Sequence, residues 1–267
     1  MSCDPEVLAT LRASSLAELA WYDGGNLRCH GVVVLVRDDR PTIAFTFAEH
    51  EVAASVAAAP EVTLVLSEPR GTGAAYRPLL LRGRPRLDVD PEGHAFVEEL
   101  LDQELRKLPP ARLLADSLLL RREHWWYLPR LLVTIESART HPGEDRSTAR
   151  DHLLVTGGAD GVRVVTAGIT ADDGVVLGLD LAEDPGGPRR EALLFGQDGS
   201  FPDLDRRAQW HYDGHLEGRT LSVGRWPSTT GIGKPPGVLE RWRQQRRFEH
   251  ACRRALAGPA GPARRSG

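Results

Sequence analysis

Nine histidines are the residues best able to do chemistry in this chain, and one stretch sets two of them at a spacing suited to a metal ion. In HYDGHLE, residues His211, Asp213, His215 and Glu217 alternate, so a strand would turn all four to one face. Imidazole and carboxylate together suit Zn, Fe or Mn. Side chains two apart on a strand sit about 7 Å apart, however, which is long for three ligands on one ion. The plainer reading is the polar face of an amphipathic strand, with Trp210, Tyr212 and Leu216 inside. A second stretch, RWPSTTGIGKPPG at 225–237, places hydroxyls, glycines and Lys234 just ahead of a helix. Backbone N–H groups and Lys234 could hold a phosphate or carboxylate there. The stretch lacks the GxxxxGK[ST] spacing of a P-loop. A third feature is the arginine-rich segment 238–257, with Arg241, Arg243, Arg246, Arg247, Arg253 and Arg254, read as a solvated or dimer-facing helix. There is no GxSxG elbow and no HExxH, so hydrolase chemistry has no support.

These residues need a scaffold, and 267 residues suffice for one large or two small domains without disulfide staples. Hydrophobic residues at 41 % and charged residues at 27 % exclude a disordered or fibrous chain. A net charge of −3 gives no global argument for nucleic acid. No apolar run reaches the roughly 20 residues of a membrane span. The start, MSCDPEVLATLRAS, does not read as a signal peptide, and Cys3, Cys29 and Cys252 are too few for a disulfide framework. A cytoplasmic protein with a small-molecule substrate, no nucleic-acid partner and no membrane partner is the expectation. Of the 34 basic residues only Lys107 and Lys234 are lysines, which reads as the coding bias of a GC-rich genome.

Residues 4–21 open with Asp4 as N-cap and Pro5 at the first helical position, and Leu8, Leu11, Leu16 and Leu19 predict one helix. The β-branched runs 27–37 and 42–47 flank a DDRP turn and predict a hairpin. Helix is expected at 49–59, 91–107 and 110–120, and strand at 62–66, 79–88 and 131–135. The polar segment 138–150 reads as a linker. The second half then repeats the first in outline. VRVVTAGITADD (162–173) with 175–181 mirrors the first hairpin, 191–195 stands for 61–65, and HYDGHLEGRTL (211–221) for 81–89. The fold class expected is mainly β (α+β): a split β-barrel of antiparallel strands with peripheral helices and a degenerate second copy. The domains are 1–137, a second unit 151–257 that includes a C-terminal helix, and a disordered tail 258–267.

The ordered set FTFAEHEVAASVAAAPEVTLVL (45–66), LRGRPRLDVDPEGHAF (81–96) and HWWYLPRLLVTI (124–135) resembles the pyridoxamine 5'-phosphate oxidase-like split-barrel family. That family binds FMN, sometimes a deazaflavin, and in one branch haem, at the interface of two barrels. The resemblance implies a redox protein, built as a homodimer or as a pseudo-dimer within one chain. It points to Thr46, His50 and Arg130 as cofactor-binding residues. FMN needs basic groups or clustered N–H groups for its phosphate. Residues 41–69 hold no Lys or Arg, but four glutamates, Glu49, Glu51, Glu61 and Glu68. Haem b asks instead for an apolar cleft, an axial ligand and basic groups for the propionates. His50 lies in the strand-to-helix turn that faces the family's cofactor and is the first candidate ligand; His124, beside Trp125, Trp126 and Tyr127, is the second. The reading is a haem-dependent oxidoreductase or oxygenase, acting on an amino acid or other small molecule of secondary metabolism. The alternatives are an FMN- or deazaflavin-dependent oxidoreductase and a non-catalytic cofactor-binding or sensing protein.

Overall fold

The computed structural model describes residues 4–68, 70, 77–158, 161–183, 188–201 and 203–258. Cys3 and all of the expected tail except Gly258 lie outside them. The architecture is mainly antiparallel β in two units, with peripheral helices. The first unit is a seven-stranded sheet of β1 (Ala17–Asp23), β2 (Asn26–Val32), β3 (Val34–Arg37), β4 (Arg40–Thr46), β5 (Val62–Leu66), β6 (Leu79–Asp90) and β7 (Arg130–Pro142). Its order is β2-β1-β5-β6-β7-β4-β3. The two outer strands, β2 and β3, are separated in the chain by Val33 alone, so the sheet must curl until its ends meet. The second unit is a closed barrel of β8 (His152–Gly158), β9 (Gly161–Asp172), β10 (Val176–Leu181), β11 (Arg190–Gly199), β12 (Arg207–Glu217) and β13 (Thr220–Arg225).

Around that barrel the order is β10-β13-β12-β11-β8-β9. Matching β8 to β1, β9 to β2 and β3, β10 to β4, and β11, β12 and β13 to β5, β6 and β7 gives the same circular order in both units. The sequence correspondences of 162–181, 191–195 and 211–221 fall on those matched strands. The DD turn is a two-residue hairpin loop: Arg37 pairs with Arg40, and Asp38 and Asp39 have φ of 49° and 55°. Aspartate tolerates this left-handed conformation, and the primed turn matches strand twist.

The structure differs from the sequence reading at four places. The helix expected over 4–21 stops at Ala13: α1 is Pro5–Ala13, capped by Asp4, whose Oδ1 accepts from the Glu6 N–H at 2.8 Å. Leu19 lies in β1 instead, because 17–23 pairs with β2 on one side and β5 on the other, and two ladders outweigh local helical spacing. The expected linker 138–150 is partly strand, since β7 runs on to Pro142 opposite Leu79. The expected helix 110–120 is broken into α4 (Arg112–Ala115) and α5 (Leu118–Glu123), following α2 (His50–Ala58) and α3 (Leu101–Lys107) in the chain.

The sequence reading places α6 (Val238–Ala257) with the second unit, but the apolar residues of its C-terminal half pack on the first, while Val238, Leu239 and Trp242 are exposed. Phe248 and Cys252 join a cluster with Phe96, Leu100, Trp126 and Tyr127. Ala255 and Leu256 join the first barrel's core beside Leu19, Leu64 and Val133. Between the barrels, Ala20, Leu27 and Val65 meet Leu153, Val155, Leu193 and Phe195. Beside them Glu18, fully buried, accepts from Arg146, Gln197 and Ser67. Lys107 is also buried, and its Nζ donates to the Leu11 and Val34 carbonyls at 2.5 and 2.6 Å, tying α1 and β3 to α3.

Candidate functional site

Thr46 ends β4 where the chain turns into a short helical turn and then α2. Its N–H and its hydroxyl both donate to Glu49 Oε2, at 3.1 and 2.9 Å. His30 Nε2 stands 3.7 Å from the other Glu49 oxygen. Burial pushes the Glu49 carboxyl up, but the neighbouring His30 imidazole and the hydrogen bonds from Thr46 outweigh it and hold the group below its ordinary range. The donors that would greet a phosphate at this turn therefore hold the chain's own carboxylate. α6 also lies across the turn, with Cys252 buried beneath it. Burial raises the thiols of Cys29 and Cys252, the free cysteines among the described residues, so neither is an activated nucleophile.

His50 follows at the start of α2, half-buried. Its Nδ1 lies 3.2 Å from the Phe47 carbonyl, which can only accept. That contact places the ring proton on Nδ1 and leaves the Nε2 lone pair available, the tautomer a metal ligand needs. His50 lines an open cleft of about 770 Å³ whose opposite wall is α6. Arg246, His250 and Arg254 recur at i, i+4 and i+8 and so share a face of that helix, with Arg247 beside them. Ala48, Ala251 and Ala255 floor the cleft, and their small side chains leave flat apolar space between the two walls. Arg254 Nη2 donates to His250 Nδ1 at 3.2 Å, so the neutral His250 carries its proton on Nε2. Arg246 lies 3.4 Å from Glu249, whereas Arg247 has no ion-pair partner among the described residues. One ring thus offers a lone pair, and the facing helix offers N–H donors.

Thr46 and His50 are four residues apart, on opposite sides of one turn. Arg130 pairs directly opposite Thr46 in the β4–β7 ladder, but its side chain has no accessible surface, lies 3.1 Å from Glu104, and is stacked between the rings of Phe96 and Tyr127 at 3.9 and 4.2 Å. His124 packs edge-on against Trp126 at 5.9 Å and does not line the cleft. Sequence reasoning missed His250. The signal was present in the i, i+4 recurrence of Arg246, His250 and Arg254, but it did not say which element faced that side. On β12, His211 and Asp213 share Arg225, which lies 2.6 Å from one and 2.5 Å from the other.

No family model and no curated protein sequence matches the chain. Among solved structures it is similar to HutZ, a haem storage protein from Vibrio cholerae, at 9 % identity and TM-score 0.35, over 53 % of this chain and 95 % of that one. A haem-binding protein from Mycobacterium smegmatis is 13 % identical at TM-score 0.32, over 95 % and 97 % of the two chains. A NimC/NimA family protein from Clostridium acetobutylicum is 12 % identical at TM-score 0.34, over 50 % and 82 %. Likenesses this loose carry no argument about function. Among the described residues no helix is long and apolar enough to cross a membrane.

Proposed function

We propose that this chain is a haem-binding protein that takes the macrocycle into the cleft between α2 and α6. The observation that carries the reading is the pairing across about 770 Å³ of His50, whose Nε2 is available, with Arg246, Arg247, Arg254 and His250. Cavities of this size accommodate a cofactor-sized ligand. In this assignment His50 Nε2 would hold the iron. Arg247 and Arg254, with the Nε2–H of His250, would hold the propionates by charge-assisted hydrogen bonds. The Phe47 carbonyl fixes the orientation of the His50 ring. Haem, when bound, supplies one-electron and oxygen chemistry, so an oxidoreductase or oxygenase acting on a small molecule is the finer form of the proposal. Occupation of the Thr46 donors by Glu49 disfavours the flavin alternative, since a phosphate there would have to displace a carboxylate.

Haem titration followed by absorption spectroscopy tests this. His50→Ala should abolish the ligand-specific Soret band, and Arg247→Ala should weaken affinity roughly tenfold, as for one charge-assisted hydrogen bond. His250→Ala should weaken affinity while leaving the band position unchanged. An unchanged spectrum and affinity in His50→Ala would overturn the assignment.

A further inference from the structure

A second cavity, of about 610 Å³, opens between the two barrels and shares no residue with the His50 cleft. One wall is a run of rings: Trp210 packs edge-on against His152 at 5.7 Å and His152 lies 6.2 Å from Tyr212, which is backed from outside the lining by Trp226, edge-on at 5.5 Å. Trp210 and Tyr212 are two apart on β12, which is why both face inward. Thr230 and Gly231 of the 225–237 loop close one side. Lys234, the basic residue that drew attention to that loop, does not line the cavity.

His152 is not a free base here. Its Nδ1 donates to Asp151 Oδ1 at 2.6 Å, and its Nε2 accepts from the Trp210 indole at 3.2 Å, so both nitrogens of a neutral ring are used. Burial lowers its pKa, in keeping with that neutral form. Arg146 is a different case. Its side chain is 4 % exposed; Nη2 donates to Glu18 and Nε to Ser67, yet Nη1 is buried with no partner among the described residues. Burial pulls the guanidinium down to about 10. The remaining charges are acid-rich: Arg70 is held by Glu68 and Asp198, while Asp151 uses only Oδ1 and is otherwise open to the cavity. The cavity therefore offers an unpaired buried N–H donor, an available carboxylate oxygen and an aromatic wall.

We infer that the inter-barrel cavity binds a small zwitterionic aromatic of the amino-acid kind. Its carboxylate would take the unpaired Nη1 of Arg146, its ammonium the Asp151 carboxylate, and its ring the Trp210–Tyr212 wall. The bipolar ligand follows from the charges, because a simple anion would meet an excess of carboxylates and a simple cation would leave Nη1 unsatisfied.

The test is isothermal titration of the full-length protein with L-tryptophan, tryptamine (no carboxylate) and indole-3-propionate (no ammonium). L-Tryptophan should bind saturably and at least tenfold more tightly than either analogue. Asp151→Asn should remove its advantage over indole-3-propionate but not over tryptamine. Gly196→Ala, whose new Cβ would fall 2.3 Å from the Trp210 ring, should weaken all three while Asp151→Asn stays folded as a control. Absence of saturable binding by L-tryptophan overturns the inference. So does binding that is indifferent to both substitutions, or equal affinity for the three compounds. His50→Ala should leave these titrations unchanged, which separates failure here from failure of the haem reading.

Discussion

Replacing Arg130 by methionine should destabilise the first barrel severely and leave ligand binding alone. The guanidinium is fully buried, and among the described residues it is the only cation within ion-pair distance of Glu104, itself 5 % exposed. In the variant the Glu104 carboxylate would keep one donor, the Tyr127 hydroxyl at 2.5 Å. Stranding a buried charge in this way costs about 3–5 kcal/mol. Loss of the two ring contacts adds about 1 kcal/mol, partly returned by methionine sulfur against Phe96 and Tyr127. For a chain of this length the loss corresponds to a fall in Tm of roughly 6–20 °C. Arg130→Met/Glu104→Gln, which removes the stranded charge and keeps an acceptor for Tyr127, should recover most of it, to within about 2 kcal/mol of the parent. Guanidinium denaturation followed by tryptophan fluorescence reads the single and double variants. A single variant within about 1 kcal/mol of the parent, or a double variant as unstable as the sum of its parts, would refute the reasoning. Haem affinity lost without loss of stability would instead make Arg130 a binding residue.

Two further perturbations follow from the same geometry. Glu49 has a folded-state pKa below its unfolded value, so the stability it contributes is present above about pH 4.3 and is lost as pH falls through the lowered value. Glu49→Gln should therefore flatten the acid limb of a Tm-versus-pH curve, and an acid limb as steep as the parent's would show that Glu49 is not the titrating group. Gly83 lies on β6 where the register shifts, and a Cβ there would fall 2.5 Å from the Glu136 carbonyl oxygen. Gly83→Ala should cost about 1–3 kcal/mol by overpacking, measured by denaturation; a neutral result would mean the strand can give way.

Much of the fold was legible in the chain. Alternation of apolar residues and the turn residues Asp38 and Asp39 specify hairpins locally, and the element order repeats, so both β units could be seen before their strand order was known. Local period failed at 17–23, where Leu16 and Leu19 continue a helical spacing but the segment gains two strand partners. It also failed to place α6: an amphipathic stripe of Phe248 and Cys252 says that a face is buried, not against what.

The candidate site divides in the same way. The sequence by itself determined that 41–69 lacks basic residues, that His50 sits in a strand-to-helix turn, and that Trp210 and Tyr212 share one face of a strand. Glu49 fills the Thr46 donors through a local contact three residues along the chain, whereas only the tertiary structure decided that Arg130 is spent on Glu104 and that His250 faces His50 from 200 residues away. It also decided that Arg146 keeps one buried N–H without a partner among the described residues. The physical reason is common to these three. Residue type and period fix what a side chain can do and which face it occupies, whereas its partner is chosen when distant segments compete to be buried together.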